Sequence, residues 1–291
     1  MKHMKILILL LTLSFSLFNN SAFSGEIINL SQPSDKEKQA LIAQIKTECA
    51  KIKENMSLKA KLSGLVGVTK ENCPTLYNLV YELTKELNLP LPYVNIFKGN
   101  IPNDINTYLW GSDFKTNACA TSLTQRMSLI SIGENLINIL SYDELKAIIA
   151  HELVHIQKGH TAKGIALYIV LTTIHKAMER IQYLANPSTE SEYFNKLLYC
   201  VIPAYLLCTK LINAKISRTD ETTADLIAVK ATKDPLSLIN GIEKIEKLAL
   251  QIYEDSLSYR LFSSHPNMND RRNDLNKAAE KFNLNKLPAA A

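Results

Sequence analysis

The chain has no basic run interleaved with aromatic residues, and its charge is close to balanced, 33 Lys and Arg against 28 Asp and Glu over 291 residues. With Lys2 and Lys5 assigned to an N-terminal leader, 31 basic side chains remain against 28 acidic ones, a formal +3. That is too little for a nucleic-acid interface. Cysteine is scarce as well. Cys49, Cys73, Cys119, Cys200 and Cys208 are odd in number and build no dense disulfide framework. In an oxidising compartment the pair expected to bridge is Cys49 with Cys73, which flank a short segment; free buried thiols are the equal alternative. Cys200 and Cys208 lie two helical turns apart, ~12 Å, too far to bridge within one helix. There is no internal repeat, low-complexity tract or linker. At 46% hydrophobic content the chain has the means to bury a substantial core.

Its longest apolar run is at the start. Lys2, His3 and Lys5 precede Ile6 to Phe18, a run relieved only by Thr12, Ser14 and Ser16, and Ala22-Phe23-Ser24 offers small residues at cleavage spacing. Residues 1–24 therefore read as a secretory signal peptide and residues 25–291 as one domain, with a periplasmic or secreted location. An uncleaved membrane anchor is the alternative. No cysteine follows the run, so no lipid anchor is indicated. Two later segments, Ile165 to Leu171 and Leu197 to Cys208, form uncharged runs of ~11 to 13 residues, short of the ~20 a membrane span needs. They are expected to be buried core helices, with peripheral membrane contact through 165–171 and 197–208 as the rival reading.

Ser34-Asp35-Lys36-Glu37 has the form of a capping box, and Leu41, Ile42, Ile45, Cys49 and Ile52 recur at helical spacing, predicting a helix from Asp35 to about Glu54. Leu62 to Val68, with Gly64 and Gly67, reads as a loop, and Thr75 to Leu87 as a helix. Strands are predicted at Tyr93 to Phe97, Thr107 to Trp110, Asn117 to Thr121 and Met127 to Ile132. Helices follow at Leu136 to Leu140, from Tyr142 after the capping box Ser141 to Glu144, and at Ile165 to Ile181, Glu190 to Asn213, Arg218 to Ala231, Leu236 to Asp255 and Asn269 to Phe282. The fold class is α+β, predominantly α-helical, with a small β-sheet before the helix that starts at Tyr142.

That helix carries His151-Glu152-Leu153-Val154-His155. Residues four apart share a helix face, so the two imidazoles can clamp one metal ion, while Glu152 points about 100° aside, toward a water such an ion would hold. A hydrolytic zinc site needs a third protein ligand. His160 lies nine positions after His151 and, on a continuous helix, about 180° round it, so it reads as structural. Glu221 is the better candidate. Asp225 follows it by one turn, where a carboxylate can hold a ligand histidine's free N–H.

His151 to His155, followed 66 residues later by Glu221-Thr-Thr-Ala-Asp225, resembles the M48 peptidases, the gluzincin group that includes HtpX, the Ste24 CAAX-processing proteases and mitochondrial Oma1. Asn117-Ala118-Cys119-Ala120 matches the family's Asn-Ala-Phe-Ala edge strand, and Ser264-His265-Pro266 with Arg271 matches its His-Pro…Arg pattern. The resemblance spans about Leu76 to Leu275. It implies a gluzincin-type domain with one zinc per chain on His151, His155 and Glu221, Glu152 as general base, and His265 or Arg271 stabilising the oxyanion. It also implies that polypeptide substrates pair with Asn117 to Ala120, and that His265 could instead ligate the metal in a resting state. The expected function is a zinc-dependent endopeptidase acting on unfolded or misassembled cell-envelope proteins. The alternatives are a non-proteolytic periplasmic chaperone or assembly factor on the same fold, or an integral-membrane CAAX-type protease. Cys119 stands where the family usually has an aromatic residue and reads as a packed thiol. Membrane relatives carry paired spans before the motif, so the exported soluble or peripheral branch is expected here; oligomeric state is left open.

Overall fold

The first capping box closes as predicted. Ser34 donates from both its N–H and its hydroxyl to Glu37 Oε2 at 2.7 Å, and the Glu37 N–H donates to Ser34 Oγ at 3.4 Å. This launches α1, Asp35–Glu54. The computed structural model describes residues 33–54, 64–97, 117–184, 191–250, 266–282 and 284, all within one compact unit, Gln32–Ala291. The expected signal peptide and the strand predicted at Thr107 to Trp110 lie outside the described residues.

Helix α1 packs on α2, Pro74–Glu86, whose Leu76, Leu79, Val80 and Leu83 repeat at helical spacing and are buried. Cys49 and Cys73 meet between them without a disulfide, Sγ to Sγ 3.9 Å.

Four strands form one mixed sheet: β1 Leu65–Gly67, β2 Tyr93–Phe97, β3 Ala118–Thr124 and β4 Met127–Gly133, in the order β1-β2-β4-β3. Strand β2 runs parallel to β4, with Val94 beside Ile130 and Ile96 beside Ile132, and the other pairings are antiparallel. Strand β1 corrects the loop expected at 62–68. Gly64, at φ 65°, turns the chain into a three-residue strand, too short for buried Val66 and the buried Val68 just beyond it to outweigh the glycine signal. Among the described strands, β3 lies at an edge of the sheet.

After α3, Glu134–Ile139, the second capping box starts α4, Tyr142–Lys158. Ser141 N–H donates to Glu144 Oε2 at 2.8 Å, and Glu144 N–H donates to Ser141 Oγ at 3.3 Å. Leu145, Ile149, Leu153 and Val154 of α4 are fully buried. At about 1.5–3 kcal/mol for each large apolar side chain, they fix this helix as the centre of the core. Helix α4 ends at Gly159, in the left-handed region at φ 63°, whose N–H reaches the carbonyls of His155 and Ile156.

The chain turns there into α5, His160–Leu184, and later forms α6, Ser191–Thr232, α7, Pro235–Leu250, and α8, Met268–Lys281. Two helices were predicted where α6 runs unbroken for 42 residues. The junction Ala214-Lys215-Ile216-Ser217 contains neither glycine nor proline, so nothing stops the helix. Helix α7 packs tightly on α4 at Gly241, where a Cβ would sit 3.1 Å from Ile148 Cγ1. The apolar segments expected in the core are partly outside it: Ile165, Tyr168 and Ile169 of α5 and Leu207 of α6 are exposed.

Candidate metal centre

Helix periodicity on α4 and the position of α6 against it bring three donors to one point. His151 Nε2 lies 3.0 Å from His155 Nε2. Glu221, from α6, places Oε2 3.5 Å from His151 Nε2 and Oε1 3.4 Å from His155 Nε2. Zinc bonds of 2.0–2.1 Å at tetrahedral angles require ligand atoms about 3.3 Å apart. The donor set therefore fits a tetrahedral zinc ion with three protein ligands and an open fourth position. Burial works against a charged His151, but Asp225 and Glu221 outweigh it and push its pKa up to about 10.

Each histidine is held from behind. His151 Nδ1 lies 2.9 Å from Asp225 Oδ1. Arg271, buried on α8, donates from Nε to Asp225 Oδ2 at 2.8 Å and from Nη2 to Asp225 Oδ1 at 2.7 Å, with Nη2 also 3.7 Å from Glu221 Oε2. Burial alone would raise the pKa of Asp225; His151 and Arg271 outweigh it and hold the carboxyl below its usual range. The guanidinium expected at the oxyanion thus sits behind the donors, clamped on Asp225. His155 turns Nδ1 to His160 Nδ1 at 2.8 Å, and His160 Nε2 lies 3.2 Å from Asp220 Oδ1. Burial first, and the electrostatic effect of His155 second, push the pKa of His160 down to about 3.

Sequence reasoning missed this role of His160 because it assumed one continuous helix. The signal that could have found it is Gly159, whose left-handed cap ends α4 and swings the next residue back onto His155.

Glu152 is half-buried on α4. Its charge reaches β3: burial first, and Glu152 second, push the Cys119 thiol up to about 12. On β3, Asn117 O accepts from Gly133 N–H at 2.9 Å, so by antiparallel alternation Ala118 and Ala120 turn their main-chain groups away from β4. Ala118 N–H donates to Asn117 Oδ1 at 2.9 Å, and the Thr161 hydroxyl reaches Ala120 O at 3.4 Å. His265 lies outside the described residues.

The model of Peptidase family M48 matches residues 75–279. The chain belongs to peptidase family M48. This M48 peptidase is 30% identical to a Protease HtpX homolog of Trichormus variabilis over 234 residues, 70% of this chain and 73% of that one. A Protease HtpX homolog of Nostoc sp. is 29% identical over 235 residues, 70% and 74% of the two chains. Among solved structures, S. mikatae Ste24p aligns with a TM-score of 0.50 at 19% identity, covering 81% of this chain. The M48 peptidase spans 56% of that longer chain, and the likeness shows the fold.

These relatives overturn the expected periplasmic or secreted location, since HtpX and Ste24 proteins are membrane proteins. Among the described residues no helix is long and apolar enough to cross a membrane.

Proposed function

We propose that the chain is a zinc-dependent endopeptidase that cleaves unfolded or misassembled cell-envelope polypeptides in protein quality control. The observation that carries this reading is the convergence of His151 Nε2, His155 Nε2 and the Glu221 carboxylate at the separations a tetrahedral zinc ion requires. With zinc bound there, the site gains a Lewis acid that polarises a peptide carbonyl and acidifies water.

The chain supplies the rest. Glu152, one position after His151 and within electrostatic reach of β3, takes the proton of the attacking water and passes it to the leaving amine. The outward Ala118 carbonyl and Ala120 N–H pair with an extended substrate, which makes side-chain identity secondary and favours unfolded segments. Asn117 and Cys119 flank them, with Cys119 within electrostatic reach of the base. Asp225 and Arg271 hold His151 in place from behind. His265 stabilises the oxyanion, and Arg271 acts through Asp225.

The test joins a zinc stoichiometry with casein cleavage in the presence and absence of a chelator. One zinc per chain and chelator-blocked cleavage are expected; absence of both sinks the reading. Glu152→Gln is expected to keep the zinc and lose cleavage, and full proteolysis by that variant removes Glu152 as base.

A further inference from the structure

The two histidines of the donor set are supported unequally. His151 has its carboxylate, Asp225, at 2.9 Å. The ring atom of His155 turned away from the donors, Nδ1, meets another imidazole, 2.8 Å away on His160. The rings stand edge to face, centroids 4.9 Å apart and 77° between planes. His160 is 8% exposed, and its far nitrogen lies 3.2 Å from Asp220 Oδ1.

Two imidazole nitrogens at 2.8 Å need one proton between them, and bond direction follows from the proposed ligand set, on which this inference rests. If Nε2 of a neutral His155 is the metal donor, its Nδ1 carries the hydrogen and donates. His160 Nδ1 must then accept, which places the His160 proton on Nε2, where it donates to Asp220. No other neutral tautomer pair satisfies both contacts. We infer that His160 is a positioning residue that fixes the ring orientation and tautomer of His155, and that Asp220 completes it as a carboxylate acting through an imidazole.

Asp220 directly precedes Glu221 on α6, and His160 directly follows the Gly159 cap of α4. One helix thus delivers the third ligand and, in the residue before it, the support of the second.

The experiment compares His160→Leu, His160→Asn and Asp220→Asn with the full-length parent by equilibrium zinc competition against a chromogenic chelator, and by visible absorption of the Co2+-substituted proteins. Asn at 160 keeps an acceptor near the place of Nδ1; Leu keeps bulk alone. His160→Leu is expected to weaken zinc binding roughly 10–100-fold, as loss of such outer partners does. Its Co2+ bands are expected to shift, His160→Asn to recover most of the affinity, and Asp220→Asn to move affinity in the same direction by less. Far-UV circular dichroism and melting of the metal-free proteins report whether each variant folds.

Parental affinity and an unshifted Co2+ spectrum in folded His160→Leu overturn the inference, and so does equal loss in His160→Asn. Should His160→Leu not fold, Asp220→Asn decides: unchanged affinity there overturns it. A parent that binds no zinc overturns the proposed function itself, a result read before any variant is compared.

Discussion

Asp225 offers the sharpest quantitative test because one buried carboxylate serves two partners. It is 3% exposed, 2.9 Å from His151 Nδ1, and gripped by Arg271 at 2.8 and 2.7 Å. Asp225→Asn keeps the shape and removes the charge, leaving Arg271 buried with Glu221 at 3.7 Å as its nearer remaining carboxylate. Removing one partner of a buried pair costs about 3–5 kcal/mol. The residual Glu221 contact and the amide's own hydrogen bonds place the expectation near 3 kcal/mol, or roughly 6–12 °C in Tm for a domain of this size. The assay is thermal unfolding of the chelator-treated protein, so that zinc does not enter.

Asp225→Asn with Arg271→Met removes both charges and is expected to regain most of that stability. It is not expected to regain zinc affinity, since His151 Nδ1 still lacks a carboxylate. The pH sign follows from the depressed carboxyl of Asp225. Its contribution is full above the ordinary aspartate pKa of about 4 and is lost as pH falls further, so parent and variant converge only in that acid range. A metal-free Asp225→Asn melting within a degree of the parent at neutral pH would refute the reasoning.

Gly159→Ala places a side chain at φ 63° where space is open, and is expected to cost about 1–2 kcal/mol from backbone strain alone, with Gly159→Asn milder, measured by urea unfolding. Gly241→Ala gains helix propensity of about 1 kcal/mol but drives a Cβ to 3.1 and 3.3 Å from Ile148, in a core where overpacking costs about 1–3 kcal/mol. A net loss near 1 kcal/mol is expected in the same unfolding measurement. With its thiol held at about 12, Cys119 is expected to resist iodoacetamide at pH 8 while exposed Cys208 reacts, as peptide mass mapping will report.

The metal helix and its neighbours were legible in the sequence because their signals are local. Two reciprocal capping boxes, the His151 to His155 spacing and the Glu221 to Asp225 turn each declare themselves within a few residues. What escaped depends on how elements meet. Strand β1 exists because β2 lies beside it. The unbroken α6 was divided at a stretch that merely looked quiet, and Arg271 was aimed at substrate because only packing reveals that α8 delivers it behind Asp225. His160 was misplaced by phase arithmetic that is correct on an unbroken helix and void once Gly159 ends it.

Continuity makes α6 an angular ruler. At about 1.5 Å per residue its 42 residues span roughly 63 Å, and at about 100° per residue Leu207, Leu211, Ile212 and Ile216 fall within one half of its circumference, with Glu221 outside that half. Since Glu221 must face His151 and His155, the bearing of that exposed apolar half is dictated from the metal end. Deleting one residue between Ile216 and Asp220 would leave the helix intact and the donors in place, yet swing everything N-terminal to the cut by about 100°. The number of residues in that interval therefore sets which way the exposed apolar half looks relative to the donor set.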